Sequence, residues 1–167
     1  MINTRRLSII PLNVNQLEKY AANDFSLETS LNVNKSNRII SEKIRTKIIE
    51  NIIPEILNNN INYLYKTIWI AIDNENKNII CEICFKGIPD AKSKVEIGYE
   101  TYVEFRGKGY MTEVVAGIII WAKNQQEIKA VCAETAKDNL GSNLVLEKNN
   151  FKKITEDQNY FYWEYTL

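Results

Sequence analysis

The residues whose types and spacing best suit chemistry lie at 105–113, FRGKGYMTE. Arg106 is followed by Gly107, Lys108 and Gly109 where an alternating, strand-like run gives way to a long apolar helix pattern. The chain has only six glycines to place, and two of them fall here. A strand entering a helix through such a turn leaves several backbone N–H groups unpaired at the helix N-terminus. Those donors and the helix dipole favour a bound anion, typically phosphate. Glycine permits the close main-chain approach and the backbone angles that a side chain forbids. Two phosphate motifs do not fit. A P-loop needs Ser or Thr after its lysine, and Gly109 follows Lys108. The dinucleotide fingerprint needs a third glycine where Thr112 stands. On these residues alone, the turn is either a phosphate cradle or an ordinary glycine-rich connection.

What is missing narrows the chemistry. No histidine occurs, which removes the usual general base and the commonest metal ligand. Acid–base work near neutral pH must then fall to Glu, Asp, Tyr, Lys, Cys, a hydroxyl or water. Cys81 and Cys84 form CEIC inside the strand-like run NIICEICFKG, where residues three apart point to opposite faces. They read as ordinary strand positions, so no metal site is expected. Twenty-one basic and twenty-one acidic side chains cancel, and no basic run offers a footprint for a phosphate backbone, which argues against nucleic acid. No apolar run reaches the ~18 residues of a membrane span, and MINTRRLSIIPLN lacks the pattern of a signal peptide. The expectation is a cytoplasmic protein with no membrane partner, a monomer or homodimer.

The elements that must position these residues follow from hydrophobic period. TRRLSIIPL (4–12) reads as a strand ending at Pro11, and 13–23 as a helix with Val14, Leu17 and Ala21 on one face. From 38 to 57, Ile40, Ile44, Ile48, Ile52 and Ile56 recur every four residues, the stripe of an amphipathic helix. Pro54 should kink it or begin a second short helix. A polar loop, ILNNNIN, follows. Strand-like runs at 65–73 and 78–87 flank NENK, a hairpin connection. In KVEIGYETYV (94–103), Val95, Ile97, Tyr99, Thr101 and Val103 alternate onto one face. The spacing predicts a helix over 109–124, a strand over 128–135, a helix over 139–150 with Leu140 and Leu144 one turn apart, and terminal strands from FKKI and NYFYWEYTL. Asn150 can take the left-handed conformation that ends a helix. The sum is one α+β domain spanning 1–167.

Arg106, Gly109 and Met111 fall on an R/Q-x-x-G-x-G/A signature, and the chain thereby resembles the GNAT superfamily of acetyl-CoA-dependent N-acetyltransferases. GKGYMTE is similar to the subgroup of ribosomal-protein N-terminal (RimJ/RimL-like) acetyltransferases. Three further segments agree in order and spacing. TRRLSIIPL resembles the opening strand of that subgroup, VEIGYE its fourth strand, and AETAKDNLGSNLVLEKNNF its closing N-x-x-S-x-x-x-L-x-K-x-G-F segment. The resemblance implies a mixed, mostly antiparallel sheet of about six to seven strands flanked by helices, with the fourth and fifth strands splayed to admit the cofactor. It implies acetyl-CoA as co-substrate and no metal. The pyrophosphate would rest on the amides of Arg106, Gly107, Lys108, Gly109, Tyr110, Met111 and Thr112. Lys108 would add charge attraction or remain a solvated turn lysine. Thr101, Tyr102 and Val103 would pair with the pantetheine arm as an added strand. Asn139 would bond the pantetheine, cap the helix, or both.

The implied reaction is attack of a neutral amine on a thioester carbonyl, which needs positioning, a proton acceptor, an oxyanion donor and an acid for the sulfur. The acceptor would be a protein N-terminus or a small amine. Many relatives place a tyrosine seven residues after the asparagine, where Leu146 stands here. Ser142 matches the serine of the subgroup, a hydrogen-bond donor to the leaving sulfur, and reads equally as a helix-start hydroxyl. Without histidine the base is a carboxylate or a water it holds. Glu96 is the first candidate and Glu100 the second, since both lie on the side of the strand opposite Tyr99; either can instead be a paired or solvent-facing strand residue. Met111 replaces the usual Gly or Ala, Asn150 the glycine before Phe151, and YETYV lacks a proline common after the fourth strand. The rival reading is a non-catalytic acyl-CoA-binding or regulatory module on the same fold, which could dispense with Ser142 and Glu96.

Overall fold

The computed structural model describes residues 1–36, 38–58 and 62–167. Its strands are β1 (Ile2–Asn3), β2 (Leu7–Pro11), β3 (Ile68–Asp73), β4 (Ile79–Phe85), β5 (Lys94–Thr101), β6 (Ala130–Ala136), β7 (Lys152–Glu156) and β8 (Tyr160–Thr166). They form one eight-stranded sheet in the order β1-β2-β3-β4-β5-β6-β8-β7. Every neighbouring pair is antiparallel except β5 and β6. The α+β class and the mixed sheet agree with expectation. The strand beyond the expected number is β1, whose two residues are too short to show a period; it pairs Ile2 with Ile9 and Asn3 with Ser8.

The parallel pair is short, and that decides where a ligand can enter. β5 and β6 are in register only from Lys94 with Ala130 to Ile97 with Ala133. Beyond Ile97, β5 continues against β4 alone and β6 against β8 alone. The two strands therefore part, as the resemblance implied.

The helices are α1 (Val14–Ala22), α2 (Ser26–Leu31), α3 (Glu42–Lys47), α4 (Ile53–Asn58), α5 (Tyr110–Lys123) and α6 (Leu140–Lys148). Alternation along the strands gives the sheet two apolar faces. On one, Leu7, Ile9, Trp69, Ala71, Val95 and Ile97 pack with Val114, Val115, Ile118 and Ile119 of α5. On the other, Ile68, Ile70 and Ile79 pack with Leu17, Tyr20, Ala21, Leu27, Ile48 and Ile53. Asn13 starts α1 with a capping box, its side chain accepting from Gln16 N–H while Gln16 reaches back.

The isoleucine stripe lies on this second face, but its helix is not uniform. Between α3 and α4 the turn Ile48–Ile52 widens to π-helical geometry, and Ile53 N–H bonds Ile48 O, five residues back. An unbroken α-register would drive the Pro54 ring into the Glu50 carbonyl, and the wider turn directly precedes that proline. Ile48 and Ile53 are buried, contributing on the order of 2 kcal/mol each, whereas Ile44 faces outward. The polar loop expected at 56–62 begins later than read, since Ile56 to Asn58 belong to α4; positions 59–61 lie outside the described residues. Two further readings are corrected. Val103 has left β5 for a 3-10 turn, Val103–Phe105, and is 76% exposed. Leu140 and Leu144 are exposed, because α6 buries Asn143 and Leu146 instead.

Candidate active site

Gly107 and Gly109 have φ of +75° and +74°, the left-handed region that favours glycine. Gly109 is the N-cap of the 14-residue α5, and no side chain caps that end. Arg106 N–H is already used, donating to Val103 O at 3.3 Å. From Gly107 to Thr112, no backbone amide finds an acceptor among the described residues. The turn is fixed from behind, so its amides stay free. Thr4 Oγ1 and Arg6 N–H both donate to Glu113 Oε1, at 2.7 and 2.8 Å. Arg6 Nε donates to Glu113 Oε2 at 2.7 Å and its Nη1 to Lys108 O at 3.1 Å. Burial works to raise the Glu113 carboxyl, but the bonds from Thr4 and Arg6 outweigh it and hold the group below the usual carboxylate range. The Arg6 guanidinium lies 4.4 Å over the Tyr110 ring, whose hydroxyl donates to Asp73 Oδ2 at 3.0 Å.

In front of this turn a cleft of about 580 Å³ opens where β5 and β6 part, with α6 as its far wall. Lys86 N–H bonds Glu96 O and Tyr102 N–H bonds Ile80 O, so the backbone of even-numbered β5 residues faces β4. The backbone of Tyr99 and Thr101 therefore faces the gap. The Thr101 carbonyl there is taken by Arg106 Nε at 2.9 Å. This leaves the Tyr99 N–H and C=O and the Thr101 N–H as groups an extended ligand can pair with. Across the gap, the Tyr99 hydroxyl donates to Ser142 O at 3.2 Å, joining β5 to α6, and burial pushes the Tyr99 phenol up.

Most expected site residues converge on this cleft. Glu100, Thr101, Arg106, Gly107, Gly109, Tyr110, Met111, Thr112, Asn139 and Ser142 all line it. Asn139 caps α6, its Oδ1 accepting from Ser142 N–H at 3.1 Å. Lys108 does not line the cleft; its ammonium lies 5.5 Å from the Phe105 ring centroid. Tyr102 and Val103 line a neighbouring cleft instead, because the Tyr102 amide belongs to the β4 ladder and Val103 to the 3-10 turn. Glu96 lines neither cleft and is ion-paired with Lys86. Glu100 lines both, and its carboxylate sits 3.4 Å from Arg106 Nη2. Tyr99, Gly141, Leu144 and Lys148 are lining residues that sequence reasoning did not single out as site residues. Leu146, where a tyrosine would stand, is fully buried.

The neighbouring cleft, of about 230 Å³, lies on the α1 side of the sheet and meets the first at Glu100. Glu82 pairs with Glu100 across β4 and β5, so the two carboxylates share a face. The hydroxyls of Tyr20 and Tyr102 both donate to Glu82 Oε2, Tyr102 at 3.1 Å. Burial raises the Glu82 carboxyl and the Glu100 charge adds to the rise, against the two phenol bonds, which pull it down. Beside it, Arg38 Nε and Nη2 grip the Glu28 carboxylate at 2.9 and 3.1 Å, both side chains being buried. No sequence signal joins positions 20, 38, 82 and 102; only the fold does.

The acetyltransferase (GNAT) domain model matches residues 6–152, and the chain belongs to that family. It is 34% identical over 97 residues to the uncharacterized N-acetyltransferase YjdG of Bacillus subtilis (strain 168), spanning 58% of this chain and 58% of that protein. Its fold is similar to that of RimL, a ribosomal L7/L12 α-N-protein acetyltransferase solved with coenzyme A, at TM-score 0.67 and 15% identity over 98% of this chain and 96% of that one. It is also similar to the microcin C7 self-immunity acetyltransferase MccE solved with acetyl-CoA and AMP, at TM-score 0.66 and 14% identity over 98% and 94% of the two chains.

Proposed function

We propose that this chain is an acetyl-CoA-dependent N-acetyltransferase that transfers an acetyl group to a primary amine by direct attack in a ternary complex. The observation that carries this reading is the row of unpartnered amides from Gly107 to Thr112, held by Thr4 and Arg6 just before β2 and facing a cleft where the sheet parts. A pyrophosphate on those amides gains charge-assisted hydrogen bonds and the dipole of α5. Pantetheine then extends along β5, using the free groups of Tyr99 and Thr101. The Arg106 side chain holds the Thr101 carbonyl and so shapes the turn from within. Asn139 keeps the α6 end in place and Ser142 supplies a proton or hydrogen bond to the departing sulfur.

The thioester carbonyl needs a donor for its oxyanion, and the Tyr99 N–H at the gap is suited to it. Among the carboxylates, Glu100 is favoured over Glu96 near the amine, since Glu100 borders both clefts while Glu96 borders neither. The acceptor is a protein N-terminus, as in the ribosomal-protein enzymes of like fold, or a small amine. The test is calorimetric titration of acetyl-CoA, paired with a thiol-release assay over peptides and small amines. Binding with release of CoA supports the enzyme. Binding without turnover on any amine moves the assignment to an acyl-CoA-binding module, and absence of binding removes the reading.

A further inference from the structure

The cleft beside Glu100 carries two polar groups that the fold leaves unused. Glu82 receives both phenol hydroxyls on Oε2, and its other oxygen, Oε1, takes no hydrogen bond among the described residues. Arg38 presents its Nε–Nη2 edge to Glu28, so Nη1 points away from that carboxylate. Nη1 is a buried donor with no hydrogen-bond partner among the described residues, on a side chain only 1% exposed. Such an orphan is rare, because an unsatisfied buried donor bears the full desolvation penalty. Both residues line the same cleft, together with Tyr20, Ile40, Glu100 and Tyr102. An acceptor oxygen and a buried donor N–H, both left unpaired on residues that line one small cavity, are complementary to a ligand with a cationic nitrogen and a nearby oxygen.

We propose that this cleft receives the acceptor substrate, a primary amine bearing a hydrogen-bond-accepting oxygen, with Glu82 Oε1 bonding the ammonium and Arg38 Nη1 the oxygen. This rests on the acetyl-transfer reading and adds to it a binding site and a catalytic residue. The volume of about 230 Å³ admits a group the size of one amino acid. Glu82 takes one proton from the ammonium, freeing the nitrogen lone pair to attack the thioester carbon. The C–N bond forms and the C–S bond breaks. Of the two protons still on the nitrogen, one stays in the amide and one leaves to the departing sulfur, while Glu82 passes its proton to solvent. The balance is R–NH3+ plus acetyl-CoA giving R–NH–acetyl, CoA thiol and one proton. The groups facing Glu82 are Tyr20 from α1, Arg38 from the segment before α3, Glu100 from β5 and Tyr102 just beyond it. Burial and Glu100 hold its carboxyl above the ordinary value, which suits a base working nearer neutrality.

The test uses alanine amide and, as a partner of matched shape without the oxygen, 3-methyl-2-butylamine. Each is titrated into protein saturated with CoA, which lacks an acetyl group and cannot react. Alanine amide is expected to bind at least tenfold more tightly than the plain amine, and Glu82→Gln to lose at least tenfold of that binding. In turnover, Glu82→Gln is expected to lower kcat/KM for the amine by about 100-fold or more, to remove the acidic limb of the pH profile, and to leave acetyl-CoA affinity unchanged. Tyr20→Phe removes one bond to the carboxylate and should move that limb to higher pH. Equal binding of the two amines, or a Glu82→Gln variant with wild-type binding and pH profile, overturns the proposal. Absence of acetyl-CoA binding in the wild type would instead overturn the acetyl-transfer reading, and the same two amines titrated into the free protein then decide this site.

Discussion

Replacing Gly107 and Gly109 with alanine, singly and together, isolates the backbone conformation on which the proposed cofactor turn depends. An ideal Cβ at Gly107 meets nothing within 4 Å, and one at Gly109 meets only Arg6 Nη2 at 3.8 Å, an ordinary contact. Steric crowding therefore contributes nothing, and the cost is the left-handed backbone alone. For a residue with a side chain that cost is roughly 1–2 kcal/mol, which in a chain of this size lowers Tm by roughly 2–8 °C per substitution. A turn that relaxes to escape the strain swings the amides from Gly107 to Thr112 off their common target. Calorimetric affinity for acetyl-CoA should then fall by tenfold or more in the double variant, beyond what the melt explains. Gly87→Ala is the control, since its Cβ also meets nothing and its φ is not positive; it should bind normally and melt no lower. A double variant with wild-type affinity would refute the argument that backbone amides in this geometry hold the pyrophosphate.

Other consequences follow from particular contacts. Glu28→Gln leaves the Arg38 charge buried and should cost roughly 3–5 kcal/mol in a denaturant melt; a loss below 1 kcal/mol would mean Arg38 finds water. Burial works to raise the Glu28 carboxyl, but bonds from Arg38 and Ser36 outweigh it, so its folded pKa lies below the unfolded one. Its contribution is thus complete above about pH 4.3 and lost as pH falls through the folded value, so the Gln variant should show a shallower acid limb in stability against pH. Gly117→Ala gains about 1 kcal/mol of helix propensity, but its Cβ would sit 2.9 Å from Ile9 Cδ1 and 3.3 Å from Thr4 Cγ2. Overpacking of roughly 1–3 kcal/mol should outweigh the gain, and a raised Tm would show that fully buried Ile9 can move aside. Tyr99→Phe breaks the bridge to Ser142 and should cost about 1 kcal/mol while lowering kcat more than acetyl-CoA affinity; unchanged turnover would leave the bridge purely structural.

The glycine turn at the head of α5 was legible because it depends on local order. FRGKGYMTE encodes the strand end, the two left-handed glycines and the apolar helix in one stretch. The fixing of that stretch by Thr4 and Arg6 was not legible, since those partners lie more than a hundred residues away. Periodicity misjudged α6 for a definite reason. Its inner face is partly polar, Asn143 bonding Thr135 Oγ1 at 2.5 Å and Asn149 bonding Thr112 O at 3.1 Å, while the apolar Leu140 and Leu144 face outward. The short α2 escaped because its six residues carry too little period, and it is entered through Phe25 at φ +67°, a conformation no rule assigns to phenylalanine. The isoleucine stripe reads as a helix over 38–57, whereas α3 begins only at Glu42 and leaves Ile40 outside it, and the π-helical turn before Pro54 is something apolar spacing alone does not encode. Strand alternation puts Glu96 and Glu100 on one face but does not fix their neighbours, which are Lys86 for Glu96 and Arg106 for Glu100.

The measurement that bears most directly on the central claim is acetyl-CoA titration followed, in the same preparation, by thiol release with alanine amide as acceptor. The expected result is one acetyl-CoA bound per chain and one thiol released per N-acetyl product formed. A folded protein that neither binds acetyl-CoA nor releases CoA would contradict it, and would mean that the free amides at the head of α5 serve another anion.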